Sequence, residues 1–191
     1  MMINYPPNYV KFPSFTEAIE SALASGEEIR FFFTGAPGTG KSMLARLVMD
    51  SLLQTHKEKH GTKPDCLITS VSELYRRYLA LNQSTYSDKN DALDSLMKTL
   101  ALQYVILDDL GNEINSDASS SFIAELFSYQ YDRLKAANRK PINTIITSNF
   151  GSKDLSRLYG LRIIDRIYET YTVFQFNNES FRKKMIKVIA N

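Results

Sequence analysis

Short apolar runs alternate with longer amphipathic stretches along most of this chain. The aromatic run at 31–33 and the aliphatic run at 105–107 are too short for helices and too apolar for strands on a surface. Runs of this kind suit strands that are buried on both faces. The pattern predicts five strands, at 31–34, 67–69, 104–107, 144–147 and 172–176.

The segments between these runs have apolar residues at the 3.6-residue spacing of amphipathic helices. We expect a helix after the serine cluster NSDASSS, which supplies an N-cap, and polar loops at 56–65 and 82–91 that are too short to act as interdomain linkers. Strands that alternate with helices indicate an α/β fold, in which a parallel sheet is flanked by helices. The expected helices cover 14–24, 43–54, 71–81, 92–100 and 121–137.

Length and composition fit one domain of ordinary size. The chain has 191 residues, 43% of them hydrophobic and 23% charged, which is typical of a globular protein. We therefore expect a single domain over 1–191, with an N-terminal extension at 1–13 and the last strand and a short C-terminal helix within 167–191. The net charge is only +2, so a contact with nucleic acid would have to be made by a local patch of basic residues.

Neither a membrane span nor a signal peptide is predicted. No apolar run approaches the roughly 20 residues that cross a bilayer. The N-terminal stretch MMINYPPNYVKFPSF lacks the charged and then apolar layout of a signal peptide, and Cys66 is the single cysteine. We expect a cytoplasmic location without internal disulfides.

The segment after the first predicted strand has the pattern G-x-x-x-x-G-K-[ST] of a P-loop. Its glycines allow successive N–H groups to point at phosphates, and the next helix directs its positive end at the same anion. We expect ATP or ADP with Mg²⁺ here, with Lys41 at the β and γ phosphates and Ser42 as a Mg²⁺ ligand. The predicted cofactor-binding residues are Gly35, Ala36, Pro37, Gly38, Thr39, Gly40, Lys41, Ser42 and Met43.

Two carboxylates follow the buried run in YVILDDLGNE, as in a Walker B segment. Asp108 lies near the carboxyl end of a strand, where open α/β sheets bind ligands. We expect Asp108 to hold Mg²⁺ through its hydration shell and Asp109 to polarise the attacking water. An acidic turn after a core strand is the alternative for this segment taken alone.

The run TIITSNF ends in polar residues in the same way. Asn149 is a candidate sensor, because its amide can hydrogen-bond the γ phosphate or the water. An asparagine that closes a strand into a turn is the alternative.

Arginines four residues apart follow in GLRIIDRIYE. On a helix Arg162 and Arg166 share one face, while the isoleucines lie on the buried side. Such a pair reaches a neighbouring subunit's nucleotide more easily than its own, so Arg162 is a candidate nucleotide-binding residue and Arg166 is the candidate arginine finger acting in trans. A solvated basic face is the alternative.

Taken together, these residues resemble the AAA+ ATPases, and within them the replicative-helicase loaders of the DnaC and DnaI type and the related IstB-type transposition ATPases. The resemblance runs from about 15 to 182 and rests on GAPGTGKS, VILDDLG, TSNF, GLRIIDRI and FQFNNESFRK in this order. It implies an AAA+ P-loop fold with a five-stranded parallel sheet and a reduced C-terminal lid. By the same resemblance Asn149 is sensor 1, Arg166 the arginine finger and Arg182 a second nucleotide-sensing arginine.

The resemblance also implies partners: further copies of the chain through the nucleotide interfaces, single-stranded DNA and a DnaB-type replicative helicase. Only about 30 residues precede the P-loop, so we expect the domain by which such loaders grip the helicase to be missing or reduced, as in a compact phage or mobile-element form. Arg76, Arg77 and Tyr78 are candidate DNA contacts, because cations track phosphates and aromatic rings stack on bases. An ordinary amphipathic helix is the alternative there.

Four other functions remain open from the residues alone. A transposition helper would use the same site residues as a loader. A small-molecule or nucleotide kinase would need lid arginines acting in cis, and no basic lid segment is evident between Asp109 and Asn149. A GTPase is disfavoured because no N-K-x-D motif occurs, and a nonhydrolysing module is disfavoured by the intact acidic residues and Arg166.

His56 and His60 have the spacing of helical metal ligands but no third ligand near them.

Overall fold

A parallel five-stranded sheet forms the centre of the molecule. The computed structural model describes residues 13–84, 96, 102–113, 116–136 and 142–177. The strands are β1 (Arg30–Gly35), β2 (Cys66–Ser70), β3 (Tyr104–Leu110), β4 (Asn143–Ser148) and β5 (Thr172–Phe176), in the spatial order β2-β3-β4-β1-β5. All neighbouring pairs are parallel. The predicted fold class is therefore confirmed.

Six helices of the described ranges cover the two faces of this sheet. They are α1 (Pro13–Ser25), α2 (Lys41–His60), α3 (Val71–Ser84), α4 (Asp117–Lys135), α5 (Ser152–Tyr159) and α6 (Leu161–Thr170). The predicted helix at 92–100 lies outside the described residues except for Leu96, which is helical and buried. The C-terminal helix expected within 167–191 and Arg182 also lie outside them.

Alternating residues of the strands fill two hydrophobic cores, one on each face. Phe31 and Phe33 point to the side of α1 and α2. Phe32, between them, points to the opposite side, where it packs with residues of α3, α4, α5 and α6. This alternation explains why β1 is apolar at every position from Phe31 to Phe33, since both faces of the strand are covered.

Several boundaries differ from the sequence prediction. α2 continues to His60, six residues beyond the predicted end, so residues 56–60 of the predicted loop are helical. The helix ends where Gly61, with φ +75°, donates its N–H to the carbonyl of Lys57 at 2.8 Å. α4 begins at Asp117 rather than 121, because Ser116 caps it, and β3 extends three residues beyond its apolar run to Leu110.

The strand order brings together the strand ends that carry the P-loop, the two aspartates and Asn149. β4 lies between β1 and β3 in the sheet, although it follows both in sequence. β2, which lies between β1 and β3 in sequence, is an edge strand. The carboxyl ends of β1, β4 and β3 therefore meet side by side at one edge, which is where ligands bind in sheets of this kind.

Candidate functional site

The P-loop connects β1 directly to α2. Gly38 and Gly40 have φ values of +78° and +92°, which glycine adopts readily because it has no Cβ. Gly40 precedes the first residue of α2 and gives the helix no side-chain cap, so the helix start is open toward the loop. Ala36 and Pro37 are exposed, and so is Met43.

Lys41 is the first residue of α2 and is only 4% exposed. Its Nζ donates to the carbonyls of Gly35 and Ala36, at 2.7 and 2.9 Å, and to Asn149 Oδ1 at 2.9 Å. Thr39, also buried, donates its hydroxyl to the same Ala36 carbonyl at 2.9 Å. The ammonium group is thus held over the loop that the sequence assigns to phosphates, and it touches the candidate sensor.

Asp108 and Asp109 occupy a bulge in β3. Leu107 pairs with Ile146 and Leu110 pairs with Ser148, so two residues of β3 lie opposite the single Thr147 of β4. Asp109 has φ +60°, the left-handed conformation that L-residues other than asparagine and aspartate seldom adopt. The bulge explains how two successive residues can both bring their carboxylates to the same edge of the sheet.

Ser42 and Asp108 supply oxygen atoms suited to Mg²⁺. Ser42 Oγ donates to Asp108 Oδ1 at 2.8 Å, so the P-loop and the acidic strand meet through these two side chains. Hydroxyl and carboxylate oxygens are the ligands that Mg²⁺ prefers, and this ion retains several waters when it bridges protein and phosphates. The residues present therefore fit a Mg²⁺ ion held beside a nucleotide.

Asn149 links the P-loop to the acidic strand. Its Oδ1 accepts from Lys41 Nζ, and its Nδ2 donates to Asp109 Oδ1 at 3.2 Å. The next residue is fixed as well, since Thr34 Oγ1 donates to the carbonyl of Phe150 at 2.6 Å. Five of the residues singled out in the sequence are thus brought together: Lys41, Ser42, Asp108, Asp109 and Asn149.

Arg162 and Arg166 are not part of this cluster. Both lie on α6, where Arg162 is exposed and Arg166 is half-buried. Arg166 Nη1 donates to Ser128 Oγ at 2.5 Å, and its guanidinium carbon lies 4.8 Å from the centre of the Tyr131 ring. The side chain thus rests against α4 of its own chain, and its action on a neighbouring subunit stays a prediction.

The candidate DNA residues lie on α3. Arg76 and Arg77 are exposed, and both form ion pairs with Glu73, at 3.0 and 3.1 Å. The Tyr78 ring packs 4.8 Å from the ring of Phe122, so part of its surface is already in contact with α4. The two arginines are therefore better placed for an outside partner than the tyrosine.

Several residues that order the site were not singled out by the sequence. Thr147 Oγ1 donates to Asp108 Oδ1 at 2.5 Å and accepts from the Asp109 N–H at 3.0 Å. Ser148 Oγ donates to the carbonyl of Leu110 at 2.7 Å. Glu113 Oε2 accepts from the Gly111 N–H at 3.1 Å. Their only sequence signal is a hydroxyl inside a β-branched run or an acid shortly after the Walker B pair.

Gly111 is needed for close packing behind the two aspartates. It has φ +101°, and a Cβ built on it would lie 2.4 Å from Cδ2 of the Phe150 ring. An alanine there would combine a strained backbone with a clash. The glycine in VILDDLG is thus explained by the residue that follows the sensor.

The remaining candidates lie elsewhere in the molecule. The rings of His56 and His60 lie with their centres 4.4 Å apart and their planes tilted by 43°. The described residues hold no group of three His, Cys, Asp or Glu side chains placed to bind a metal. A cavity of about 550 Å³ lies at the amino ends of the strands, lined among others by Arg30, Tyr104 and Asn143. It is at the opposite edge of the sheet from the P-loop. Within the described ranges, no helix is both long and apolar enough to cross a bilayer.

The sheet order, the P-loop and the acidic bulge give the chain a P-loop fold of the AAA+ type. The crystal structure of the DnaC helicase loader superimposes with a TM-score of 0.68 at 23% identity, over 92% of this chain and 96% of that one. This likeness is one of fold.

Sequence comparison gives more particular relatives, although no protein-family model matches the chain. It is 28% identical over 158 residues to the replicative helicase loader DnaC of Buchnera aphidicola, covering 81% of this chain and 57% of that protein. It is 29% identical over 170 residues to an insertion sequence ATP-binding protein of Sinorhizobium fredii, covering 86% of this chain and 50% of that protein. The chain is thus similar to a DnaC-type loader and to an insertion sequence ATP-binding protein, and it spans about half the length of these relatives.

Proposed function

We propose that this chain binds ATP with Mg²⁺ at the P-loop edge of its sheet, hydrolyses it at sites completed by a second copy, and works on single-stranded DNA with a replicative helicase in the cytoplasm. The observation that carries the proposal is the hydrogen-bonded chain from Lys41 through Asn149 to Asp109. It joins the phosphate loop, the candidate sensor and the candidate base in one cluster.

Each residue of this cluster has a separate task in the proposed reaction. Lys41 places a positive charge on the terminal phosphates, and Ser42 and Asp108 hold the metal. Bound Mg²⁺ would neutralise charge on the phosphate oxygens. Asp109 accepts a hydrogen bond from the attacking water, and Asn149, which already donates to Asp109, orients that pair.

The proposal of shared sites is supported by the position of Arg166. The hydrolysis of a γ phosphate needs positive charge near the leaving group as well as a positioned water. Among the described residues of the cluster, Lys41 is the only cation. Arg166 lies on α6 against α4 rather than in the cluster, so we assign it to the nucleotide of a second copy.

Two observations bear on the partner. The Buchnera relative is a helicase loader, which favours a replicative helicase. The Sinorhizobium relative is an insertion sequence ATP-binding protein, which favours delivery of a transposase to DNA as the second candidate. Arg76 and Arg77 on α3 are the proposed DNA contacts in either case.

Nucleotide binding is tested first with a fluorescent ATP analogue. Lys41→Ala should weaken the affinity at least about tenfold, because the removed ammonium makes charge-assisted bonds to phosphate. Lys59→Ala, an exposed lysine on the same helix, is the matched control and should bind as the wild type does. Unchanged affinity in the Lys41 variant would contradict the site.

Turnover is then measured per subunit across a dilution series, with and without single-stranded DNA. A rate that rises with protein concentration and with DNA supports shared sites and DNA coupling. A flat rate that ignores DNA would mean that one chain is complete by itself, and the loader proposal would be abandoned for a kinase-like function.

The DNA contact is tested with the double variant Arg76→Ala and Arg77→Ala. In this variant the stimulation of ATP turnover by single-stranded DNA should fall and depend less on salt, since two phosphate contacts are lost. Arg157→Ala is the control, because Arg157 is exposed and ion-paired with an acid three residues away, as Arg76 is. Stimulation that is equal in both variants would move the DNA surface elsewhere.

A further inference from the structure

We propose that Thr147 is the positioning residue of this site: its hydroxyl group holds Asp108 in place for the metal and fixes the backbone of Asp109 for the water. The inference rests on the proposed function, because it assigns Thr147 a task in the same hydrolysis. It adds a residue that binds neither nucleotide nor metal itself.

The geometry gives one hydroxyl group two partners that differ in role. Thr147 Oγ1 donates to Asp108 Oδ1 at 2.5 Å and accepts from the backbone N–H of Asp109 at 3.0 Å. A threonine hydroxyl has one proton and two lone pairs, so it can make both bonds at once. Thr147 is fully buried, which keeps water from replacing either bond.

The bond to Asp109 maintains an unusual backbone. Asp109 is the sole residue other than glycine with positive φ in the described part of the chain. Such a conformation persists where surrounding contacts over-determine it. Thr147 lies directly opposite the bulge, between the paired positions Ile146 and Ser148, and its hydroxyl accepts the N–H that the bulge withdraws from the strand ladder.

The bond to Asp108 orients the carboxylate. Asp108 Oδ1 accepts from Ser42 Oγ at 2.8 Å and from Thr147 Oγ1. Ser42 belongs to the P-loop, and any movement of the loop would carry Asp108 with it if this were the only contact. Thr147 belongs to β4, which is buried along its whole length, and so it ties the carboxylate to the rigid centre of the sheet.

Two substitutions separate positioning from packing. Thr147→Val keeps the branched shape but removes the hydroxyl, whereas Thr147→Ser keeps the hydroxyl and removes a methyl group. A side chain that only fills the core would tolerate valine better than serine, because valine is favoured in buried strands. A positioning residue gives the opposite order.

The experiment compares the affinity for a nonhydrolysable ATP analogue with and without Mg²⁺, together with kcat. In Thr147→Val the gain in affinity from Mg²⁺ should fall about tenfold and kcat about tenfold or more, while binding without Mg²⁺ changes less than about twofold. Thr147→Ser should keep both properties near the wild type. In an Asp108→Asn background the valine substitution should no longer alter the Mg²⁺ dependence.

The outcomes are distinct. The assignment would be overturned in favour of packing if Mg²⁺ raised the nucleotide affinity of Thr147→Val normally but no longer raised that of Thr147→Ser. If the valine variant does not fold, the serine variant decides alone: lost Mg²⁺ dependence in a folded Thr147→Ser protein overturns the proposal. A wild-type chain whose nucleotide affinity ignores Mg²⁺ would instead overturn the proposed function itself.

Discussion

At the scale of single residues, Glu113 stands out because it is an acid with 8% of its surface exposed. Burial raises the pKa of this carboxyl above its ordinary value of 4.5, and the N–H groups of Glu113 and Gly111 that bond to it lower the pKa only in part. The carboxyl closes the turn after the two aspartates. Its ionisation therefore affects stability close to the site.

We expect Glu113→Gln to raise the melting temperature near pH 7. Because the folded state has the higher pKa, the unfolded chain ionises first as the pH rises through 4.5, and stability falls until the folded chain ionises too. An amide oxygen can still accept the Gly111 N–H, without the cost of a buried charge. The advantage of the variant should therefore shrink as the pH is lowered toward 4.5.

Thermal unfolding followed across a pH series checks this prediction. The control is Glu27→Gln, at an exposed glutamate before β1, which should follow the wild type at each pH. A glutamine variant that melts below the wild type at neutral pH would mean that the charge on Glu113 is needed.

Residue type alone predicts some members of the candidate site and misses others. The clustering of Lys41, Ser42 and the two aspartates was predictable because phosphate and Mg²⁺ chemistry requires those groups at the ends of buried strands. Thr147 was not, because a threonine inside a β-branched run is equally typical of a core strand. Its role depends on the bulge opposite, which no local pattern in β3 encodes.

At the scale of elements, α4 begins with a reciprocal cap made of two serines. Ser116 Oγ accepts from the Ser119 N–H at 3.2 Å, and Ser119 Oγ accepts from the Ser116 N–H at 3.1 Å. These bonds satisfy two donors that a helix start would otherwise leave unpaired. The serine cluster predicted the cap, but four serines in seven residues did not reveal which one ends the loop.

We expect Ser116→Ala to destabilise the chain by about 1 kcal/mol, the usual effect of removing an N-cap side chain. Ser121→Ala, at an exposed position of the same helix, should be neutral or slightly stabilising, because alanine is the better helix former. Chemical denaturation of both variants measures the difference. Equal stability of the two would place the start of α4 elsewhere.

Boundaries were harder to predict than the existence of elements. All five strands were expected, and β5 was predicted with the bounds that the structure has. α2 is longer than predicted. Its charged last turn, with Lys57 and Lys59, resembles a polar loop in sequence, but basic residues are also favourable at the carboxyl end of a helix. α5 and α6 are separate because Gly160, with φ +84°, interrupts them.

At the scale of the whole molecule, the role proposed for Arg166 requires more than one chain. Its contacts with Ser128 and Tyr131 hold the guanidinium on α4. Leu161, the first residue of α6, is 72% exposed. A large exposed apolar side chain of this kind suits a surface that meets another copy. The five strands and the polar residues at their ends could be predicted from one sequence, whereas the strand order, the bulge and the assembly could not.

We expect two inactive variants to restore each other when mixed. Arg166→Ala lacks the finger but keeps its own acids, and Asp109→Asn lacks the base but keeps its finger. If subunits meet head to tail, about one quarter of the sites in an equal mixture combine an intact base with an intact finger. Turnover should recover toward that fraction, and a mixture as inactive as its components would refute action in trans.

The order of the strands has a consequence for amide hydrogen exchange. The P-loop follows β1, the two aspartates lie in β3 and Asn149 follows β4, and each of these strands has a neighbour on both sides. β2 and β5 are the edges, and their amides should exchange through local opening, while those of β4 should exchange only on global unfolding. The three central strands that carry the site would then stay hydrogen-bonded to one another while the two edge strands open and re-form.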